Sequence, residues 1–343
     1  MVEDIDGFVQ DLSWLEKVEL LRRLKIAIAE EKVPQSGDPD ACPHCGCPLF
    51  VRKGHGAKGQ QRWLCRGCGR TFSQMTRSLL GNSKLDTSVW YEYAEAMVDG
   101  ISLREAASRC GVSLHTSWFM RHRLCEVMAR RVGEFRSGPE RRCQVDETSL
   151  NESLKGNWDH SRTHRMPRKK HRCGRDGGRR CKKAEKVQIV CGINDLGDCF
   201  CELAARAQVT QESIRRVLGS RIEPGSIVAT DDNPSYRIPL AELGVRRHEA
   251  HSATTGHCTK INRVNALHSR LHDFLAPFKG VATRRLQHYL DWFCFTEQFR
   301  RSEEDKREIV FQAGAEGTYM TTRREYPLVS LPFSEYWGMS ILV

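Results

Sequence analysis

The sequence predicts a multidomain protein in which small α+β modules precede an α/β domain. Two CxxCG cysteine pairs near residue 50 predict a metal-stabilised module, and helical periodicity over residues 86–130 predicts a helical one. After Gly138-Pro139 the pattern changes to apolar strands followed by helices, as in an α/β domain. The 343 residues are enough for these parts, and a composition with 39% hydrophobic and 28% charged residues excludes wholesale disorder and fibrous architecture.

The cellular location follows from the absence of sorting signals in this sequence. No apolar run reaches the roughly 18 residues of a membrane span, and the acidic N-terminus does not resemble a secretory signal. We therefore expect a cytoplasmic protein with no membrane partner. The fifteen cysteines, an odd number without an export signal, argue against a disulfide framework and favour metal binding by some of them.

The net charge of +11 is concentrated in parts of the chain. Residues 1–41 carry −5, residues 42–136 carry +8, and residues 160–183 alone carry +10. Clustered basic residues favour a polyanionic partner such as nucleic acid, although a solvated basic surface would give the same pattern.

The first 33 residues predict an amphipathic helix that Asp11 or Ser13 could cap. Its apolar residues recur at helical spacing: Trp14, Val18, Leu21, Leu24 and Ile28. We expect this helix to pack locally, with docking on a partner or a second copy as the alternative.

The two cysteine pairs, Cys42/Cys45 and Cys65/Cys68, have the spacing of a structural zinc site. Each CxxC turn places two thiolates on one side of a loop, and two facing turns complete a tetrahedral site with four sulfur ligands. Short strands are expected around Phe50, Trp63 and Phe72, which makes the module a zinc ribbon that depends on zinc for its stability. Cys47 is not expected to be a ligand.

Residues 86–130 predict three helices, of which the last two have the rhythm of a helix-turn-helix. Ser102 can cap the first of these two, Leu103–Cys110, and Gly111 provides the tight turn before the next. The second helix could enter the DNA major groove. The candidate DNA-facing residues on it are His115, Thr116, Arg121 and Arg123. The alternative is a plain three-helix packing unit.

The region after Pro139 predicts three strands, a helix, a further strand and then helices. The strands are expected near residues 142–150, 187–193, 199–204 and 225–231, and the helices at 211–218, 264–274 and 284–300. Asp146 lies within the first strand and Asp231 ends the last. If the two strands are neighbours, the two carboxylates meet, and Mg²⁺ between them would offset their repulsion. A salt bridge or solvation at a strand end is the alternative for each acid alone.

Several segments of this region resemble the catalytic blocks of bacterial insertion-sequence transposases that combine a zinc ribbon with a DDE-type domain. The segments are Val145–Thr148 with Glu152–Asn157, Thr230-Asp231 with Ser235-Tyr236, Val264–Leu271, Gly280–Thr283 and Leu286–Trp292. The resemblance extends in order from about residue 40 to residue 300, including the ribbon and the helix-turn-helix. It implies an RNase H-like fold, catalytic Mg²⁺ or Mn²⁺, and cleavage and joining of transposon-end DNA.

By position, the resemblance makes Asp146 and Asp231 the first two catalytic metal ligands and Asn265 the third, where the wider class often has Glu. An amide oxygen is a weaker ligand than a carboxylate, so DNA phosphate would hold much of the second metal. His272 stands where the family usually has lysine, and Lys260 where it often has histidine. Because the change to His272 removes a fixed positive charge, a decayed copy of the element is the alternative.

Other residues near these acids are given lesser roles. Glu147 and Asp232 adjoin the two acids, but neighbouring side chains on a strand point to opposite faces, so neither is expected to be a ligand. The basic segment 160–183 matches a family insertion, and its centre, Arg168, Lys169 and Lys170, is expected to hold phosphates. Two His/Cys groups could bind zinc, but the first has irregular spacing, and a solvated loop fits the second better. They are His164, His171, Cys173 and Cys181, and His248, His251, His257 and Cys258.

The predicted domains are an N-terminal helix (1–35), a zinc ribbon (40–80), a helix-turn-helix (84–133), a catalytic domain (140–300) and a C-terminal tail (301–343). We expect a nucleoid-associated DNA transposase that binds terminal inverted repeats and acts as at least a dimer on double-stranded DNA. The alternatives are a DNA-binding regulator that has lost its chemistry and a nuclease of the same fold.

Overall fold

The computed structural model describes residues 2–31, 39–56, 59–81, 83–155, 186–251, 261–300, 305–316, 321, 325–326 and 332–333. The chain divides into two compact units: residues 1–127 with 304–320, and residues 128–303 with 321–343. The predicted ribbon lies in the first unit and the predicted catalytic region in the second. Within the described ranges, none of the helices is long and apolar enough to cross a membrane. The basic segment around Arg168, Lys169 and Lys170, together with Lys260, lies outside the described residues.

The N-terminal region forms two helices instead of the single predicted one, α1 (Val2–Asp11) and α2 (Trp14–Glu31). Ser13 separates them because its N–H and Oγ both donate to Glu16 Oε2, at 2.9 and 2.6 Å, which begins α2 with a capping arrangement. Lys25 Nζ lies 3.0 Å from Glu95 Oε2 and ties α2 to the next helix. The apolar side chains predicted to pack locally are exposed, for example Trp14 at 74%.

The cysteine-rich region is a small three-stranded antiparallel sheet in the order β1-β2-β3. The strands are β1 (Phe50–His55), β2 (Gln61–Cys65) and β3 (Thr71–Phe72). The apolar core of the sheet is Trp63 stacked on Phe72 at 5.9 Å between ring centroids, with two buried cysteines beside them. A core this small is typical of a module that a bound metal stabilises.

Three helices follow, α3 (Thr87–Val98), α4 (Leu103–Arg109) and α5 (Leu114–Arg131), close to the predicted bounds. Ser102 Oγ accepts the Glu105 N–H at 3.2 Å and caps α4. Gly111, with φ of +61°, makes the turn between α4 and α5, where a residue with a Cβ would be strained.

The C-terminal region is not wholly the extended tail predicted from its sequence. Residues Lys306–Glu316 form α10, which belongs to the first unit. Its Phe311 meets Tyr91 edge to face at 5.3 Å, and the Gly314 carbonyl accepts the Leu79 N–H at 2.8 Å. These contacts, made far from residue 306 in sequence, fix a helix that local patterning does not predict.

The second unit is built on a five-stranded mixed sheet in the order β6-β5-β4-β7-β8. Its strands are β4 (Arg142–Asn151), β5 (Lys186–Asn194), β6 (Cys199–Arg206), β7 (Ile227–Asp231) and β8 (Arg247–His251). The first three pair antiparallel, while β7 pairs parallel with both β4 and β8. The edge strand β8 was not predicted, because its sequence is polar.

Helices cover both faces of this sheet. On one face, α6 (Gln211–Leu218) and α7 (Arg237–Glu242) pack their apolar side chains on alternate residues of β4 and β7, such as Val145 and Val228. On the other face lie α8 (Asn262–Leu275) and α9 (Leu286–Gln298), which join through aromatic contacts such as Phe274 with Trp292 at 5.0 Å. Even-numbered residues of β4 therefore face α8, and odd-numbered residues face the α6/α7 core.

Candidate active site and metal centre

The two predicted acids lie side by side on the sheet. The parallel register between β4 and β7 pairs Gln144 with Ala229, which brings Asp146 and Asp231 next to each other two residues further on. One carboxylate oxygen from each of these acids, and one from Glu147, all lie within 4.8 Å of one another. The two strands are neighbours in the sheet, which is the condition under which the sequence analysis expected the two acids to meet.

Burial and mutual repulsion disturb the ionisation of this acidic cluster. Burial, together with the charges of Asp231 and Glu147, raises the pKa of Asp146 to about 7; the side chain is only 14% exposed. Burial likewise raises the pKa of Asp231. Oxygen ligands converging at this spacing are the set that Mg²⁺ and Mn²⁺ bind, and a divalent cation would remove the repulsion, so the residues fit such a metal.

Helix α8 is held against β4 by three successive residues on the same face of that strand. Gln144 Oε1 accepts the N–H groups of Arg263 and Val264 at 2.9 and 3.2 Å, which caps a helix whose own first residues offer no capping side chain. Two residues of strand span about 6.6 Å and four residues of helix about 6 Å, so the two elements stay in step. The strand and the helix therefore meet again at Asp146 and at Thr148.

At Asp146 the facing residue is His268, which the sequence analysis did not single out. His268 Nδ1 lies 3.9 Å from Asp146 Oδ2, and burial lowers the pKa of His268 to about 4, so the ring is neutral at pH 7. At the next step, His272 Nε2 lies 2.9 Å from Thr148 Oγ1. Asn265, the predicted third ligand, is half-buried one turn before His268 on α8, on the same side of the helix.

Glu147 differs from the sequence expectation. Its backbone alternates away from Asp146 as predicted, yet its carboxylate belongs to the acidic cluster. Its two oxygens accept hydrogen bonds from Asn233 Nδ2 at 2.6 Å and from the Tyr236 hydroxyl at 2.8 Å. The long side chain reaches around the end of β7, which stops at Asp231.

The four predicted zinc ligands converge in the first unit. The Sγ atoms of Cys42, Cys45, Cys65 and Cys68 all lie within 4.8 Å of one another, with Cys42–Cys68 at 3.8 Å and Cys45–Cys65 at 3.6 Å. Tetrahedral zinc with 2.3 Å bonds to sulfur requires sulfur atoms about 3.8 Å apart, so the four thiols fit the ion. Backbone N–H groups of Cys68 and Gly67 donate to Cys65 Sγ and lower its pKa to about 6, which favours the thiolate form.

Comparison with known proteins relates this acidic site to a family. Residues 144–298, which contain the acidic cluster and α8, match the model of the ISXO2-like transposase domain. This part of the chain is therefore similar to the transposase domain of that family. An uncharacterized protein in transposable element ISH50 of Halobacterium salinarum is 24% identical over 276 residues, which is 79% of this chain and 90% of that protein.

Two solved structures resemble the chain more distantly. They are a Mos1 strand transfer complex and a complex of Mos1 transposase with paired left transposon ends, both 14% identical over 73% of this chain. They are covered to 76% and 77% of their own length, with TM-scores of 0.28 and 0.25.

Outside residues 144–298, the predicted DNA-facing residues divide into two groups. His115, at the start of α5, is exposed, and Thr116 is half-buried with its Oγ1 2.9 Å from Ser113 Oγ. Arg121 and Arg123 are only 1% and 7% exposed, so the prediction that they face DNA is wrong for this conformation.

Both arginines are held by backbone carbonyls. Arg121 Nη2 donates to the Ile101 carbonyl, and Arg123 Nη2 donates to the Ser78 carbonyl, each at 2.6 Å. They therefore link α5 to the segments that precede α4 and α3.

A second correction concerns His248 and His251, which lie on β8 and not in a loop. His248 Nε2 is 2.8 Å from Thr230 Oγ1. His257 and Cys258 lie outside the described residues.

The sequence analysis also missed the residues that support the acids of the acidic cluster. Gln144 and His268 carry no motif by themselves, and only the pairing of β4 with α8 gives them a role. Asn233 and Tyr236 follow Asp231 closely, and Tyr236 was quoted for its resemblance to the family without a function. The signal available was Asn233, a polar residue two positions after the acid that ends the strand.

Proposed function

We propose that this protein is a DNA transposase that binds the terminal inverted repeats of an insertion sequence and catalyses divalent-metal-dependent cleavage and strand transfer. The observation that carries the proposal is the meeting of Asp146 and Asp231 oxygens within 4.8 Å, inside the segment that matches the transposase domain. The mixed sheet, with three antiparallel strands followed by two parallel ones, supports an RNase H-like domain.

The proposed ligands of the catalytic metal are Asp146, Asp231 and the amide oxygen of Asn265. A bound Mg²⁺ or Mn²⁺ would activate a water or a 3′-hydroxyl and stabilise the leaving oxygen in phosphoryl transfer. Around these ligands, the β4–α8 contacts fix the position of Asp146, and His272 is held on β4 beyond it by Thr148. We propose that His272 acts on the DNA backbone, where the family usually has lysine.

Recognition of DNA is proposed for the first unit and for the basic segment. Zinc bound by the four cysteines would hold the ribbon together, and α4 with α5 would form a helix-turn-helix whose exposed His115 meets the groove. Arg168, Lys169 and Lys170 would bind phosphates and set affinity more than sequence preference.

Two transposon ends must be handled together, so we propose that the protein acts as at least a dimer. The N-terminal apolar surface favours a second copy as its occupant. This surface consists of Phe8, Trp14, Leu15, Val18, Leu21, Leu24 and Ile28, all exposed. Their exposed area is on the order of 800 Å², which is what each partner contributes to a standard protein interface.

A strand-transfer assay tests the function. The protein is incubated with a radiolabelled DNA fragment carrying an element end, a target plasmid and Mg²⁺, and the products are separated on a denaturing gel. Joining of the labelled 3′ end to the plasmid is the expected result. Cutting without joining would indicate a nuclease instead, and tight binding with neither reaction would indicate a DNA-binding regulator.

A further inference from the structure

The carboxylate of Glu147 is the one member of the acidic cluster for which both oxygens have a hydrogen-bond donor among the contacts of the described residues. Asn233 Nδ2 donates to Oε1 at 2.6 Å and the Tyr236 hydroxyl donates to Oε2 at 2.8 Å. Both donors belong to the turn that follows β7, whereas Glu147 belongs to β4. These bonds therefore link the central strand to the turn beyond Asp231.

The same turn holds the carboxylate of Asp231. The Asn233 N–H donates to Asp231 Oδ1 at 3.2 Å, and Asn233 Oδ1 accepts the Ser235 N–H at 3.0 Å, which opens the short helical turn Pro234–Tyr236. Asn233 thus contacts Asp231 with its backbone and Glu147 with its side chain. A change in the position of Asn233 would move Asp231.

Tyr236 gives this arrangement a rigid base. Its side chain is fully buried in the apolar core that β4 and β7 share with α6 and α7. A ring packed on all sides cannot follow a moving loop, so its hydroxyl fixes Glu147 at one place. A buried carboxylate also requires such donors, because leaving it without hydrogen bonds is costly.

We propose that Glu147 is a positioning residue: it clamps the turn after β7 and thereby holds Asp231 opposite Asp146, without itself binding the catalytic metal. This inference rests on the proposed function, since it assumes that Asp146 and Asp231 bind a divalent cation. The competing role, a third carboxylate ligand, makes opposite predictions for two conservative substitutions.

The first substitution is Glu147→Gln, which removes the charge and keeps the shape. The glutamine oxygen can still accept from Asn233, and its NH₂ group can donate to the Tyr236 oxygen after the hydroxyl rotates. The second is Tyr236→Phe, which removes one hydroxyl that touches Glu147 and none of the proposed ligands. Tyr91→Phe, at a buried tyrosine in the other unit, is the matched control.

The experiment measures Mn²⁺ affinity by isothermal titration calorimetry on the full chain loaded with zinc, without DNA. The expected result is a Kd for Glu147→Gln within about threefold of the unmodified protein, and a Kd raised threefold to tenfold by Tyr236→Phe but not by Tyr91→Phe. Thermal unfolding of each variant checks that the loss is not global. A tenfold or greater loss of affinity in Glu147→Gln, or an unchanged affinity in Tyr236→Phe, would overturn the proposal.

Asp146→Asn separates this inference from the proposed function. If that substitution abolishes Mn²⁺ binding while Glu147→Gln does so as well, the metal centre stands and the positioning role fails. If Asp146→Asn leaves Mn²⁺ binding intact, or the unmodified protein binds no Mn²⁺, the metal centre and the positioning role fail together.

Discussion

His272 Nε2 lies 2.9 Å from Thr148 Oγ1, on the strand face that carries Asp146 two residues earlier. The contact fixes the ring against the sheet near the proposed catalytic metal. If this contact positions His272 for the DNA backbone, then substituting either His272 or Thr148 should remove the same interaction between His272 and DNA.

We therefore expect His272→Ala and Thr148→Val each to lower the rate of end cleavage by about tenfold, the cost of one hydrogen bond to a functional group. The double variant should lose little more than either single one. Single-turnover cleavage of a labelled end measures all four rates. Fully multiplied losses would show that the two residues act independently.

Asp146→Asn and Asp231→Asn should each abolish cleavage, with a loss of at least about a hundredfold, because each removes a charged ligand from the proposed catalytic site. Affinity for end DNA, measured by fluorescence anisotropy, should stay within about twofold, or rise as repulsion of phosphate falls. Asp232→Asn is the control, since Asp232 pairs with Arg237 at 3.0 Å on the surface. Retained cleavage in either ligand variant would remove that residue from the site.

Cys42→Ser should reduce bound zinc, disorder the ribbon and weaken end binding. The reason is that the buried core of the ribbon consists of little more than Trp63, Phe72 and two of the cysteines. The matched control is Cys47→Ser, since Cys47 is outside the four-thiol cluster and its Sγ is directed at the Leu49 carbonyl. Zinc content is measured by atomic absorption after dialysis. An equal zinc content in both variants would contradict the four-cysteine site.

Arg121→Ala should destabilise the protein, by about 2 kcal/mol, because it leaves the Ile101 carbonyl without its donor and a void beside α5. His115→Ala should leave the unfolding free energy unchanged and weaken DNA binding. Urea unfolding and fluorescence anisotropy measure the two quantities. The assignment of α5 fails if Arg121→Ala is as stable as the unmodified protein and loses only DNA affinity.

Leu21→Glu should convert the protein to a monomer, because it places a charge in the middle of the N-terminal apolar surface. Light scattering coupled to size exclusion reports the mass with and without the substitution. Leu196→Glu, at a leucine in the β5–β6 turn that is 67% exposed against 54% for Leu21, should leave the mass unchanged. A monomeric unmodified protein would show that the surface is covered by something other than a second copy, or by nothing.

The sequence predicted those parts of the molecule in which local pattern and chemistry agree. The CxxC spacing predicts the four-thiol cluster because both turns bring their sulfurs to the same side. Asp146 and Asp231 were found because an acid within or at the end of an apolar strand is costly unless it is used. Strands β4 to β7 and helices α6, α8 and α9 were predicted from their apolar patterns, with bounds that differ by a few residues, whereas α7 and β8 were not predicted.

The failures arise where distant contacts override the local pattern. Arg121 and Arg123 were interpreted as surface residues. Both side chains are buried, and both guanidinium groups donate hydrogen bonds to backbone carbonyls of preceding loops. Glu147 obeys strand alternation at its Cα, but its side chain is long enough to pass the end of β7. Strand β8 was missed because a polar edge strand has no apolar run to indicate it.

The cap that Gln144 provides for α8 has a consequence for the order in which this protein folds. Ile261 cannot cap this helix, so its first turn is completed only after β4 has taken its place in the sheet. Helix α8 contains Asn265, His268 and His272. A chain that has folded only as far as β7 therefore contains both aspartates of the acidic cluster but lacks the helix that packs against Asp146.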